Sequence, residues 1–279
     1  MKILVTGAYG QLGTSIVKKM SSHYEIFAYG SKQLDIRNEN QTLQIVREIK
    51  PTYIINCAAY NNVNQAEVCI NEARAVNEIG AYNLGKAAEY VKATLVHIST
   101  DYVFDGEKKS PYVEEDTPNP LNVYGLSKYK GEQLIQEVCS RYIIVRTSWL
   151  YSEKENNFPH TILRLAKQKD NLNVVADHFG TPSNTEELAA AIEKLIYNGA
   201  YGLYNCSGNG VCSWYEFARK IIELAGVQCN IQPITAKDYK ELAQKPSYSV
   251  LDNSKVQKLL GYSMKEWEES LESYFRNNN

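Results

Sequence analysis

Apolar positions in the first 150 residues alternate between short unbroken runs and longer stretches with helical spacing. Lys2-Ile3-Leu4-Val5-Thr6 is a continuous apolar run, the pattern of a strand covered on both faces. From Gln11 to Met20 the residues Leu12, Ile16 and Val17 fall on one helical face. The same reading predicts strands at Tyr24–Tyr29, Tyr53–Cys57, Thr94–Ser99 and Tyr142–Arg146, and helices at Gln41–Ile49, Asn77–Val91 and Val123–Val138. Strands and helices in strict alternation imply right-handed βαβ units, hence a doubly wound parallel sheet with helices on both faces. The second half is less regular. It predicts helices at Phe158–Gln168, Thr185–Tyr197, Ser213–Ala225 and Lys265–Phe275, with a short strand near Gly202–Cys206. Ser213 followed by Glu216 has the spacing of a capping box. The expectation is one domain over residues 1–150 built on that sheet and a smaller, interleaved C-terminal α/β domain over 151–279, with a helix near 185–198 able to rejoin the first.

Composition narrows the class. The chain has 279 residues, 44% apolar and 22% charged, which excludes a disordered or fibrous protein. Thirty basic and 32 acidic residues give a net charge of -2, so there is no basic footprint for nucleic acid. Six cysteines occur with no Cys-x-x-Cys pair, and the four histidines have no metal-ligand spacing. No apolar run approaches the roughly 20 residues that span a bilayer, and the strand-like run after Met1 lacks a signal-peptide core. These observations predict a cytoplasmic protein without membrane or nucleic-acid partners.

Candidate chemistry lies at three places. Gly7-Ala8-Tyr9-Gly10-Gln11-Leu12-Gly13 joins a strand to a helix, where glycines let the backbone approach a pyrophosphate and the helix start directs free N–H groups at it. A Rossmann-type dinucleotide site is predicted. The second strand ends in Tyr29-Gly30-Ser31-Lys32, without the usual carboxylate for a ribose hydroxyl. Ser31 and Lys32 are therefore candidates for a 2′-phosphate, and either NADPH or NADH is expected as cofactor. Tyr124 and Lys128 are four apart on one helical face. An ammonium beside a phenol lowers the phenol's pKa, making a proton donor for a carbonyl oxygen that accepts hydride at its carbon. Thr100, at the C-terminal end of the fourth strand, is placed to hydrogen-bond the same oxygen.

In this order the motifs resemble the extended short-chain dehydrogenase/reductases, and within them the dTDP-4-dehydrorhamnose reductase family. The strings that carry the likeness include Ser99-Thr100-Asp101-Tyr102-Val103-Phe104, Asn122-Val123-Tyr124-Gly125 and Arg146-Thr147-Ser148-Trp149, with Asn156-Asn157-Phe158 and Gly180-Thr181-Pro182 further on. The resemblance covers nearly the whole chain and implies that residues 1–150 form an NAD(P)-binding Rossmann domain and 151–279 a substrate-binding domain. It implies that Thr100, Tyr124 and Lys128 form the catalytic set, that Asp35 and Ile36 contact adenine, and that Ala58, Ala59 and Tyr60 form a loop over the cofactor. It also implies that Thr100, Asp101 and Trp149 line a sugar pocket, and that a nucleotide-linked 4-ketosugar is reduced by NAD(P)H. A homodimer is compatible with the family. Some relatives carry a metal at the dimer contact through a glutamate after the glycine turn; Ser15 stands on that helix here, so no metal is expected. The chain departs from the family pattern at Asn64, Gln65, His178 and Lys245, all on the substrate side. Three rivals follow: a reductase of a different nucleotide 4-ketosugar; an epimerase or dehydratase of the same superfamily, against which Tyr102 stands where a dehydratase has glutamate after Asp101; and a non-catalytic subunit like the regulatory subunit of methionine adenosyltransferase, which shares the Ser-Thr-Asp-Tyr-Val-Phe-Asp-Gly string.

Overall fold

The computed structural model describes residues 1–154 and 157–278, so Asn156 of the resemblance strings lies outside the described residues. Six parallel strands form the central sheet, in the spatial order Gly202–Asn205, Tyr142–Thr147, Thr94–Thr100, Tyr53–Asn56, Lys2–Thr6, Glu25–Tyr29. The edge strand Gly202–Asn205 comes from the second half of the chain and pairs in register with Ile143–Arg146.

Strand periodicity divides the core. Ile3 and Val5 point to one face with Leu12, Ile16, Leu188 and Ile192. Leu4, between them, points to the other with Val46, Leu84 and Ile144. Helix Thr185–Tyr197 packs on helix Gln11–Met20 within the first cluster, and Ser15 donates to the Thr185 hydroxyl at 2.8 Å. A third cluster, rich in aromatic rings, belongs to the second half and contains Tyr151, Phe217, Trp267 and Tyr274.

Helices Gln11–Met20, Val123–Val138 and Thr185–Tyr197 begin and end where the apolar spacing places them. Ser213 and Glu216 form the capping box in front of helix Trp214–Ala225. The segment predicted as one helix from Asn77 instead opens with a π-turn, Ala75–Ile79, before the α-helix Gly80–Val91. Asn77, on that turn, holds both backbone groups of Tyr60 and reaches the Ser127 hydroxyl at 3.0 Å. No helix among the described residues is long and apolar enough to cross a membrane.

Candidate active site

The order of the strands reverses between Lys2–Thr6 and Tyr53–Asn56, and a crevice opens beyond their C-terminal ends, as open α/β sheets require. The glycine turn sits in it. Gly7 has φ +62°, and a Cβ there would lie 2.5 Å from the backbone nitrogen of Ala58. Two strand-end loops thus meet at a point that only glycine fits. The cleft that runs from this turn has a volume of about 770 Å³, in the range of ligand sites.

Beyond the second strand the cleft is lined by Ser31, Asp35 and Ile36, together with Arg37, which sequence reasoning missed. Lys32, expected there, does not line the cleft. The N–H groups of Gln33 and Leu34 both return to the Gly30 carbonyl, and the tight turn leaves Lys32 exposed at its tip. Arg37 is gripped by Asp35 through Nε at 2.8 Å and Nη2 at 2.7 Å, which holds the Asp35 carboxyl below the usual carboxylate range. The six other expected residues of the glycine turn and helix start (Gly7, Tyr9, Gly10, Gln11, Leu12 and Gly13) line the cleft, as do Ala58 and Ala59. Tyr60 does not; its backbone is turned into the Asn77 clamp.

Thr100, Asp101, Tyr124 and Lys128 come together deeper in the same cleft. Asn122 caps their helix by accepting from the Gly125 N–H at 2.8 Å. Gly125 lets that helix lie against the Tyr102 carbonyl, where any Cβ would collide. Tyr102 and Tyr124 then meet edge to face, with ring centres 5.9 Å apart. Thr100 donates to Asp101 Oδ1 at 3.0 Å. Burial pushes the Asp101 carboxyl up to about 7, against the pull of Ser249 and Thr100.

One expectation needs correction. Burial pushes the Tyr124 phenol up to about 12; a hydrogen bond with Thr100 opposes this, and the Asp101 charge reinforces it. Lys128 is not what offsets burial here. Its amine is directed at the Ile98 carbonyl and at His97 Nε2, 3.3 Å away. Burial also brings the Lys128 pKa down to about 8, with Glu132 and Cys57 acting in the other direction.

Beneath these groups lies a buried ion pair that the sequence did not disclose. Glu132 accepts from Arg146 Nε at 3.0 Å and Nη2 at 2.6 Å, and from the Ser99 hydroxyl. Arg146 also lies 5.1 Å from the Phe104 ring centre.

Trp149 lines the cleft in the left-handed backbone region, at φ +45°. Its indole stacks on Trp214, another residue missed from sequence, with centroids 3.4 Å apart and planes 10° from parallel. The Trp149 Nε1 is buried and has no hydrogen-bond partner among the described residues. Of the four departures from the family pattern, three gather around Glu241. Lys245 pairs with it at 2.5 Å and Asn64 approaches it at 3.5 Å. His178 is near enough to feel both the Glu241 and Lys245 charges. Gln65 instead reaches the Cys69 sulfur.

A parallel sheet with a glycine turn at its switch point, and a Tyr-x-x-x-Lys helix in the same cleft, is the architecture of the extended short-chain dehydrogenase/reductases. Comparison with known proteins agrees. A family model described as the RmlD substrate binding domain matches residues 1–279, and the chain belongs to that family. It is 40% identical to the dTDP-4-dehydrorhamnose reductase of Aggregatibacter actinomycetemcomitans, over 98% of this chain and 97% of that protein. It is 38% identical to the spore coat polysaccharide biosynthesis protein SpsK of Bacillus subtilis, over 99% of this chain and 97% of that protein. A solved dTDP-4-dehydrorhamnose reductase from Bacillus anthracis, in complex with NADP, superposes with a TM-score of 0.96 at 43% identity, covering 99% of each chain.

Proposed function

We propose that the protein reduces the C4 keto group of a nucleotide-linked 4-keto-6-deoxyhexose with NADPH or NADH, converting dTDP-4-dehydro-L-rhamnose to dTDP-L-rhamnose. The observation that carries this reading is a single cleft joining the glycine turn to Thr100, Tyr124 and Lys128. The open cleft beside the glycine turn Gly7–Gly13 fits a pyrophosphate, and the relatives compared include one solved with NADP. When bound, the nicotinamide supplies hydride to the carbonyl carbon.

In this reading Tyr124 gives its proton to the carbonyl oxygen, so that hydride and proton together convert the ketone to the alcohol. Thr100 binds the same oxygen and orients it. Lys128 holds the nicotinamide ribose and sits in the path by which the phenolate regains a proton. Asp101 and the Trp149–Trp214 stack border the sugar. We also assign the cytoplasm as the location, consistent with six free thiols, and a homodimer as the assembly.

Loss of reduced-cofactor absorbance with dTDP-4-dehydro-L-rhamnose tests the reaction. Tyr124→Phe is expected to lower kcat by about 100-fold or more, the usual contribution of a positioned acid, while NADPH binding survives. Near-normal turnover by that variant would remove Tyr124 from its role. The cluster at Glu241 supports a second reading, a different nucleotide 4-ketosugar as substrate, because three departures from the family pattern converge there. A panel of nucleotide 4-ketosugars decides between the two by relative kcat/KM.

A further inference from the structure

A buried hydrogen-bonded series runs from the end of the first strand to Lys128. Its members are Thr6, Asn56, His97 and Lys128, each no more than 2% exposed. Their donor and acceptor roles follow from one group that cannot change role. The backbone N–H of Ala58 can only donate, and it points at Asn56 Oδ1 at 3.1 Å; the Thr6 hydroxyl donates to the same oxygen at 2.7 Å. This fixes the amide's orientation, because the reverse would set two N–H donors against each other. Asn56 Nδ2 must then donate to His97 Nδ1, 3.0 Å away. A neutral imidazole with a bare Nδ1 carries its proton on Nε2. Burial keeps His97 neutral by lowering its pKa well below the ordinary value, and the Lys128 charge acts the same way. His97 Nε2 lies 3.3 Å from Lys128 Nζ, and the lysine's hydrogen bond to the Ile98 carbonyl uses one of its own hydrogens. An ammonium has no lone pair to receive an N–H, whereas a neutral amine has one.

We infer that His97, locked by Asn56 in its Nε2–H form, directs a donor at Lys128 and favours the neutral amine there, which makes His97 a positioning residue for the proton-handling site. The proposal rests on the reading that Lys128 belongs to the catalytic set. Burial of Lys128 works in the same direction, while Glu132 on its own helix and Cys57 beyond the third strand favour the charged form. Asp101 and Tyr124 border the same cleft. The sign is therefore defined. A lysine whose pKa is lowered is charged below that pKa and loses its proton as pH rises through it, so any step needing the ammonium declines on the alkaline side.

Nitrogen-15 NMR of histidine- and lysine-labelled protein, with no cofactor or substrate, is expected to show His97 protonated at Nε2 and bare at Nδ1 across the neutral range. It should also show the Lys128 amine titrating below the free-lysine value of about 10.4. A proton on His97 Nδ1, an imidazolium, or a Lys128 that stays charged up to the free-lysine value would overturn the inference. None of these readouts needs turnover, so they stand apart from any failure of the proposed reaction. Asn56→Asp replaces the donor by an acceptor, moves the imidazole proton to Nδ1 and turns the Nε2 lone pair toward Lys128. In that variant the alkaline limb of kcat/KM is expected to move up by about one pH unit, a roughly tenfold gain in relative rate on that limb. An unmoved limb in a variant whose tautomer has reversed would also overturn it.

Discussion

The sheet side of the cleft and the side formed by Trp149 and Trp214 are held by different forces. On the first, polar groups are buried and bonded in series, as in Glu132 with Arg146 and Ser99, whose carboxylate and guanidinium side chains are 1% and 3% exposed. On the second, ring faces do the holding. Trp149 lies on Trp214, Phe158 lies 4.6 Å from Trp214, and Phe158 stacks on Phe217 with planes 14° apart. Directional bonds permit one geometry and penalise every unpaired member. Ring faces hold by area burial and dispersion, and their contacts carry no fixed donor–acceptor pairing. The groups that would move protons are on the rigid side. The aromatic side is where a sugar of particular shape would be received.

The largest expected effect comes from breaking the ion pair. Glu132→Ala leaves Arg146 buried without its partner and should cost about 3–5 kcal/mol of stability, read by urea denaturation. A cost below about 1 kcal/mol, the value of an exposed pair, would erase the contrast between the two sides. Trp214→Ala removes one ring of the stack. An aromatic pair contributes about 0.5–1.5 kcal/mol beyond its buried area, so KM for the sugar should rise several-fold while kcat and the NADPH affinity change little. A fall in kcat instead would mean that the aromatic side also sets the reacting geometry. The smallest effect is expected beyond the second strand. The Asp35–Arg37 pair is partly exposed, and such pairs contribute about 0.2–1 kcal/mol. Arg37→Ala should shift the ratio of NADPH to NADH affinity by less than about fivefold, and Lys32→Ala should leave it unchanged.

How much of this was readable in advance follows from the same division. Helices Gln11–Met20 and Val123–Val138 declare themselves through spacing and the glycine turn, and they bring the cofactor-side and catalytic candidates into one cleft. Strands of two residues, such as Leu150–Tyr151 and Ser183–Asn184, have no periodicity to read. The strand Asn171–Val175 does alternate exposed and buried, and that signal was overlooked. The partners of the buried ion pair and of the tryptophan stack lie far apart in sequence. Nothing local joins Glu132 to Arg146, or Trp149 to Trp214, because the fold and not the spacing brings them together. Arg37 is not announced by the end of the second strand, because the chain turns at Gly30 and returns to the cleft several residues later.

The edge strand Gly202–Asn205 has a consequence for how the protein is made. Until residue 205 has left the ribosome, Tyr142–Thr147 presents one side without its strand partner. A bare strand edge recruits other chains. During that interval the unpaired side of Tyr142–Thr147 is open to other chains, and chaperone engagement is expected to include it.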